Sequence, residues 1–191
     1  MTDLKKRLFA GLLALVLLCA PLSGCAAREA ERYDVLASTA PVRAMTAALL
    51  EGTGLNCGLV VTESVSCLHD YTLTVAQMEK IGQADVVVLN GLGLEDFMAD
   101  ALAASDAAVI DCSQGVALLE NADHIHEEGD GGHDHGHWDP HYWMDPENME
   151  QMVYNIRDGL SQADPERAGE YEENAAEQAG LLHTWDDALQ D

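Results

Sequence analysis

The chain has 191 residues, with nine Lys and Arg against 34 Asp and Glu, and its formal net charge at pH 7 is −25. A field of this sign repels nucleic acid and anionic lipid, and it excludes nucleic-acid binding as the function. The length suits one domain, or one domain with part of a second.

The N-terminal segment has the features of a bacterial lipoprotein signal peptide. Three basic residues at 5–7 precede an apolar run at 8–20 that is too short for an ordinary membrane-spanning helix. The sequence Leu-Ser-Gly-Cys follows, resembles a lipobox and ends at Cys25. We predict removal of residues 1–24, acylation of Cys25 and a lipidated tether over residues 25–33. An ordinary signal peptide with an incidental cysteine is the alternative.

From residue 34 onward, β-rich runs alternate with helical patterns. The patterns predict strands at 34–39, 59–62, 85–90 and 108–111, and helices that begin at Pro41, near Val75 and at Glu95. This order predicts an α/β fold in which a parallel four-stranded sheet is flanked by helices. Ligands of such sheets bind beyond the carboxyl ends of the strands.

Two further helices are predicted after the sheet. The first runs from Pro146 to about Leu160. The second opens at Asp164, a suitable N-cap, with Pro165 in its first turn. Because this helix continues to residue 191 without a cap, we expect the chain to be part of a longer protein.

The cysteines predict a disulfide. Cys19 leaves with the predicted signal peptide and Cys25 is predicted to be acylated, which leaves Cys57, Cys67 and Cys112. An odd number in an oxidising compartment predicts one disulfide and one free thiol, and we favour the pair Cys67–Cys112. A thiolate role in metal binding is the alternative.

Six of the eight histidines lie within the 18 residues 124–141. Imidazole nitrogen is a common ligand of zinc, so this density indicates metal binding. Residues 121–140 have almost no apolar content and are predicted to form a disordered insert, with a histidine-rich loop at 121–138. Its histidines are predicted to be an auxiliary metal loop: His124, His126, His133, His135 and His137. The alternative is a solvated acidic linker that binds metal only incidentally.

Two other histidines are the candidate ligands of a preformed site. His69 follows the second predicted strand and therefore lies at the ligand-binding edge of the sheet. His141 lies in a segment with proline on both sides, which restricts its backbone. A carboxylate commonly orients a zinc-bound histidine. The nearby candidates for that role are Asp70, Asp139 and Asp145.

Three segments together resemble a known family. They are Ser-Cys-Leu-His-Asp-Tyr at 66–71, the strand and turn at 85–97, and Asp-Pro-His-Tyr-Trp-Met-Asp-Pro at 139–146. They resemble the zinc/manganese solute-binding proteins of bacterial metal ABC transporters, specifically the zinc-uptake type. The resemblance covers roughly residues 34–190, and its Asp-Pro-His-x-Trp-x-Asp-Pro element is specific.

The resemblance implies two α/β lobes joined by one long helix, with the metal in the cleft between the lobes. His69 and His141 match the two ligands of the N-terminal lobe. A histidine and a carboxylate from the C-terminal lobe complete the family's site, and we expect this chain to end before that lobe. The resemblance thus implies an N-terminal metal-binding lobe at 34–163 with the loop at 121–138, and a linker helix at 164–191. His183 matches no ligand and is interpreted as a surface histidine.

The expected function is that of a lipoprotein anchored to the cell membrane, outside the cytoplasm, that captures zinc with histidines and delivers it to a membrane permease. Zinc members of the family often carry a histidine-rich loop, which favours Zn²⁺ over Mn²⁺. We expect no enzyme, because no nucleophile with a partnered base is visible. The Asn-Gly-x-Gly-x-Glu stretch at 90–95 lacks the full dinucleotide pattern, so we assign no nucleotide binding. The alternatives are a stand-alone histidine-rich zinc buffer or chaperone, a zinc hydrolase, and an adhesin-like lipoprotein of the same family.

Zinc affinity should fall as the pH is lowered through about 6.5, where a free imidazole gains the proton that competes with the metal. Competition titrations with a zinc chelator at neutral and mildly acidic pH would measure this. An affinity that is equal at both pH values would contradict ligation by histidine.

Overall fold

Four short parallel strands form the centre of the structure, a computed structural model that describes residues 32–63, 68, 71–120 and 138–190. The strands are β1 (Val35–Ala37), β2 (Cys57–Leu59), β3 (Val86–Leu89) and β4 (Ala108–Asp111). Their order in the sheet is β2-β1-β3-β4, and every neighbouring pair is parallel. The predicted parallel sheet is confirmed.

Among the described residues, five α-helices surround this sheet. They are α1 (Ala40–Leu49), α2 (Val75–Gln83), α3 (Ala99–Ala103), α4 (Pro146–Ala163) and α5 (Ala168–Gln190). Single 3-10 turns precede α3, α4 and α5, at Asp96–Met98, Tyr142–Met144 and Pro165–Arg167. None of the helices in the described part of the chain is long and apolar enough to cross a membrane.

The central strands β1 and β3 are apolar on both faces because helices cover both. Val35 and Val88 belong to the core cluster that also contains α1, α4 and α5 residues, whereas Leu36 and Val87 belong to a second cluster with Ile81 of α2. Residues of a strand point alternately to opposite faces, so a continuous apolar run is required here.

Several predicted boundaries differ from the structure by one to three residues. The second strand was expected at 59–62 and lies at Cys57–Leu59. Val60 and Val61 still donate backbone hydrogen bonds to Ala37 and Ser38 (2.9 and 3.2 Å), but they lie beyond the regular ladder. The third helix was expected to begin at Glu95 and starts instead as a 3-10 turn at 96–98.

Asp164 does not act as the predicted side-chain N-cap. Its Oδ2 atom accepts hydrogen bonds from Arg167 Nη1 (2.6 Å) and from the hydroxyl of Tyr171 (3.1 Å). The carboxylate therefore fixes the 3-10 turn to the first turn of α5. The same helix is held at Asn174, whose amide donates to the carbonyls of Leu49 and Glu51 (both 2.9 Å).

The contact between α4 and β4 requires a glycine at position 159. A Cβ atom there would lie 2.6 Å from Cγ1 and Cδ1 of Ile110. We expect Gly159→Ala to destabilise the protein by about 1 kcal/mol, because overpacking of about 1–3 kcal/mol exceeds the gain in helix propensity. Gly180→Ala in α5 is the matched control, since nothing lies within 4 Å of its added Cβ. It should stabilise by up to about 1 kcal/mol. Urea unfolding of both variants tests this, and a Gly159→Ala protein as stable as the control would contradict the packing argument.

Candidate metal centre

The carboxyl edge of the sheet brings together the ends of β1 and β3 and the segment 139–146. Ser38 follows β1 and Asn90 follows β3, and both are fully buried. His141 lies on the segment that crosses this edge, immediately before the 3-10 turn that leads into α4. Its side chain is 58% exposed, so the imidazole is accessible to a metal ion from solvent.

Asn90 forms hydrogen bonds with the residues on both sides of His141. Its Nδ2 atom donates a hydrogen bond to the carbonyl of Pro140 (3.0 Å). Its backbone carbonyl accepts a hydrogen bond from the hydroxyl of Tyr142 (2.6 Å). Because both bonds are buried, the backbone of the intervening histidine is held at one place on the sheet edge.

Asp139 sets the orientation of the His141 ring. Its Oδ1 atom accepts the backbone N–H of His141 (2.9 Å) and lies 2.7 Å from the ring Nδ1 atom. The donated backbone hydrogen bond is the main cause that lowers the pKa of Asp139, which is therefore ionised at neutral pH. An ionised carboxylate only accepts, so in the neutral imidazole it favours the tautomer with the proton on Nδ1 and a free lone pair on Nε2. The ring of Trp143, centred 5.1 Å away, packs beside the imidazole.

Asp145 has a role in helix capping. Its Oδ1 atom accepts the backbone N–H of Asn148 (3.0 Å) and caps the start of α4. Its predicted role in orienting a ligand histidine stays a prediction. The signal was present in the sequence, since an Asp directly before a Pro is a typical start of a helix.

The expected disulfide between Cys67 and Cys112 is not found. Cys112 is a free thiol with 0% exposure, and it packs in the core cluster with Tyr142. Burial raises the pKa of this thiol, so it is a neutral apolar group. Cys57 is also free, and burial raises the pKa of its thiol to about 11. Cys67 lies outside the described residues.

Several other predicted residues also lie outside the described part of the chain. They are Cys25, His69, Asp70 and the loop histidines His124, His126, His133, His135 and His137. Within the described ranges, no group of three or more His, Cys, Asp or Glu side chains is arranged to hold a metal ion. The ligand role of His69 and of the loop therefore remains a prediction.

The ends of the histidine-rich segment lie beside His141. Glu120 and Trp138 form an isolated antiparallel bridge, and the N–H of Asp139 donates to the carbonyl of Leu119 (2.9 Å). The residues that flank the histidine-rich segment, 119–120 and 138–139, are thus paired with each other, and the second pair ends two residues before His141.

Sequence reasoning missed Asn90, Glu95 and Tyr142. Glu95 is 6% exposed, and burial raises its pKa, whereas hydrogen bonds from Ser38 and the turn at 90–91 oppose that shift. The stretch at 90–95 contributes to the family resemblance and was rejected as a nucleotide motif, but the sequence analysis assigned no role to its individual residues. A polar Asn-Gly pair directly after a buried strand was the signal that could have found this turn.

Three comparisons with known proteins agree on one kind of protein. The family model described as zinc-uptake complex component A, periplasmic, matches residues 35–191. The zinc-binding protein AdcA of Streptococcus pyogenes serotype M3 is 33% identical over 122 residues, which are 56% of this chain and 24% of that protein. The manganese-binding lipoprotein MntA of Halalkalibacterium halodurans is 34% identical over 108 residues, 56% of this chain and 32% of that protein.

A solved structure has the same fold. The Mn-bound periplasmic metal binding protein from Candidatus Liberibacter asiaticus is 26% identical and superposes with a TM-score of 0.63. The match covers 77% of this chain and 52% of that chain. The chain thus spans about half of this structure and from about a quarter to a third of the two relatives.

Replacing Asp139 should change the protonation of the His141 ring. In Asp139→Asn the partner of Nδ1 loses its charge, so the fraction of the ring that is protonated at Nδ1 should fall. The chemical shifts of the ring nitrogens, measured by NMR in the absence of metal, report this fraction. Asp145→Asn is the matched control, because asparagine also caps a helix and the cap is not bonded to the ring. Equal shifts in both variants would contradict the orienting role of Asp139.

Proposed function

The chain belongs to the family of periplasmic component A proteins of zinc-uptake complexes, and we propose that it is the extracytoplasmic zinc-binding component of a metal ABC transporter. The observation that carries this proposal is the oriented imidazole of His141. Asp139 holds its Nδ1 side, so the Nε2 lone pair is presented at the edge of the sheet. A neutral imidazole nitrogen held in this way is a zinc ligand of the usual kind.

His69 is proposed as the second ligand, and the described residues around it support this. The N–H of Tyr71 donates to the carbonyl of Leu68 (2.9 Å), which joins the residues on either side of the pair 69–70. Gln77 donates from its side chain to the Tyr71 hydroxyl (2.6 Å) and to the carbonyl of Val60 (2.8 Å). Since Val60 follows β2, these bonds hold Tyr71, two residues after His69, at the same carboxyl edge as His141.

Zinc is the proposed cargo. Imidazole ligands suit zinc, whereas carboxylate and carbonyl oxygens suit manganese. The two proposed ligands are histidines, and the chain carries five further histidines in the segment that begins and ends beside His141. The relatives include one named as zinc-binding and one named as manganese-binding, so manganese is the comparison metal in the experiment below.

The histidine-rich segment is proposed to capture zinc and pass it to the oriented imidazole. His137 precedes His141 by four residues, so the two Cα atoms lie at most about 14 Å apart. A formal charge of −25 attracts cations to the surface and raises their local concentration. Transfer over so short a distance keeps the ion close to the protein throughout.

The finer parts of the proposal concern location and partners. Acylation of Cys25 would anchor the protein outside the cytoplasmic membrane, and residues 25–33 would form the tether. The ion would be delivered to the permease of the transporter. Further ligands would come from a region equivalent to the part of the longer relatives that this chain does not span. We assign no reaction to the protein. His183 remains a surface histidine, since its side chain is 68% exposed and lies 3.3 Å from Glu150.

The proposal predicts that zinc affinity depends on His69 and His141. We expect His69→Ala and His141→Ala each to weaken zinc binding at least tenfold, and deletion of residues 121–137 to lower the number of bound ions while leaving the tightest one. Competition titration with a zinc chelator measures both quantities, and manganese is titrated in parallel. His183→Ala is the matched control and should bind as the unmodified chain does.

The deletion separates the two metal-binding functions. If tight binding disappears with the loop and survives both alanine substitutions, the chain is a histidine-tract zinc buffer and the receptor proposal is wrong. If hydrolytic activity appears on zinc loading and is lost in His141→Ala, the zinc hydrolase is the better assignment.

A further inference from the structure

Glu95 is a buried carboxylate whose hydrogen bonds all go to the carboxyl edge of the sheet. Its Oε1 atom accepts the hydroxyl of Ser38 (2.6 Å) and the backbone N–H of Asn90 (2.8 Å). Its Oε2 atom accepts the backbone N–H of Gly91 (3.0 Å). With 6% exposure and both oxygens engaged, this carboxylate is not a ligand for an ion from solvent.

The turn that Glu95 holds has an unusual backbone. Gly91, Leu92 and Gly93 follow one another with φ values of +89°, +57° and +79°. A leucine in the left-handed region is sterically unfavourable, and such conformations persist only where the surroundings enforce them. At Gly91 no side chain fits, because an added Cβ would collide with the carboxylate of Asp111. The two N–H groups that converge on Glu95 supply part of that enforcement.

The same turn contains Asn90, which is hydrogen bonded to the residues on either side of His141. Asn90 is bonded to Pro140 by its amide and to Tyr142 by its carbonyl, and its own N–H is bonded to Glu95. A continuous series of buried hydrogen bonds therefore joins Glu95 to both neighbours of His141. Glu95 itself contacts none of the residues 139–146 through these bonds.

We propose that Glu95 is a positioning residue of the metal site, which holds the turn at 90–93 in the conformation from which Asn90 fixes the backbone of His141. This inference rests on the proposed function, because it assumes that His141 is a ligand. It goes beyond that function in giving the motif at 90–95 a role in metal affinity rather than in folding alone. The hydrogen bond from Ser38 to Glu95 is assigned to the stability of the fold alone. It adds to the contact between β1 and β3, which backbone hydrogen bonds already pair.

The test is a double-mutant cycle between Glu95 and His141. Glu95→Gln has nearly the same shape, but its amide nitrogen is a donor. It would face a backbone N–H group, and the hydrogen bond from that group would be lost. We expect zinc affinity to fall about tenfold to a hundredfold, the range for residues that orient a metal ligand. In the His141→Ala background the same substitution should cause no further loss, because the group that it positions is absent.

A matched control separates positioning from stability. Asn174→Asp is also isosteric and also breaks side-chain hydrogen bonds to the backbone, but these bonds are partly buried or exposed and lie at the carbonyls of Leu49 and Glu51, at the C-terminal end of α1. It should lower the urea midpoint as Glu95→Gln does and leave zinc affinity unchanged. If Glu95→Gln and the control have equal zinc affinities, or if Glu95→Gln weakens binding equally with and without His141, the proposal is wrong.

Two further measurements keep the inference distinguishable from the proposed function. NMR of the metal-free protein should show shifted His141 ring and backbone signals in Glu95→Gln and unshifted signals in Asn174→Asp, whatever the metal affinity is. If His141→Ala leaves zinc affinity unchanged, the proposed function fails, and shifted His141 signals would still support the positioning link. If Glu95→Gln does not fold, Tyr142→Phe breaks the same series at its last bond, and unchanged His141 signals there would overturn the link.

Discussion

The site depends on the hydrogen bonds by which Asn90 holds the residues on either side of His141. They join the end of β3 to a segment about fifty residues later in the chain. Because donors and acceptors are buried, breaking one bond leaves a polar group unpaired, at a cost of about 1–3 kcal/mol. The backbone beneath the imidazole is therefore rigid, while the imidazole itself stays exposed.

The fold could be predicted well from the sequence because its central strands β1 and β3 are covered on both faces. Continuous apolar runs such as 85–90 occur where a parallel sheet is packed between helices, and Leu36 and Val87 confirm that arrangement by facing away from Val35 and Val88. The boundaries were less predictable. Val60 and Val61 are as apolar and buried as strand residues, and only their position relative to β1 shows that the ladder has ended.

The site could be predicted only where its contacts are local. Asp139 and His141 are two residues apart, so an orienting carboxylate could be proposed from spacing alone. Asp145 is equally near, but the start of α4 uses its carboxylate, and helix capping was the stronger local rule. Asn90, Glu95 and Tyr142 reach the site through tertiary contacts, which no spacing in the sequence encodes. The free thiol of Cys112 was missed for a related reason, since a core position suits a buried thiol as well as a disulfide.

One oriented imidazole is a suitable element for a carrier. Zinc favours about four ligands. Among the described residues, His141 has an oriented ring, and no group of three or more potential ligands forms a complete cluster. An ion bound by a single exposed nitrogen exchanges readily, and each added donor strengthens its retention. In the proposed function, His69, the histidine-rich segment and a region equivalent to the unspanned part of the longer relatives are separate sources of such donors. Affinity would then change as donors join or leave, while the sheet edge held by Asn90 and Glu95 would keep His141 oriented for the next ion.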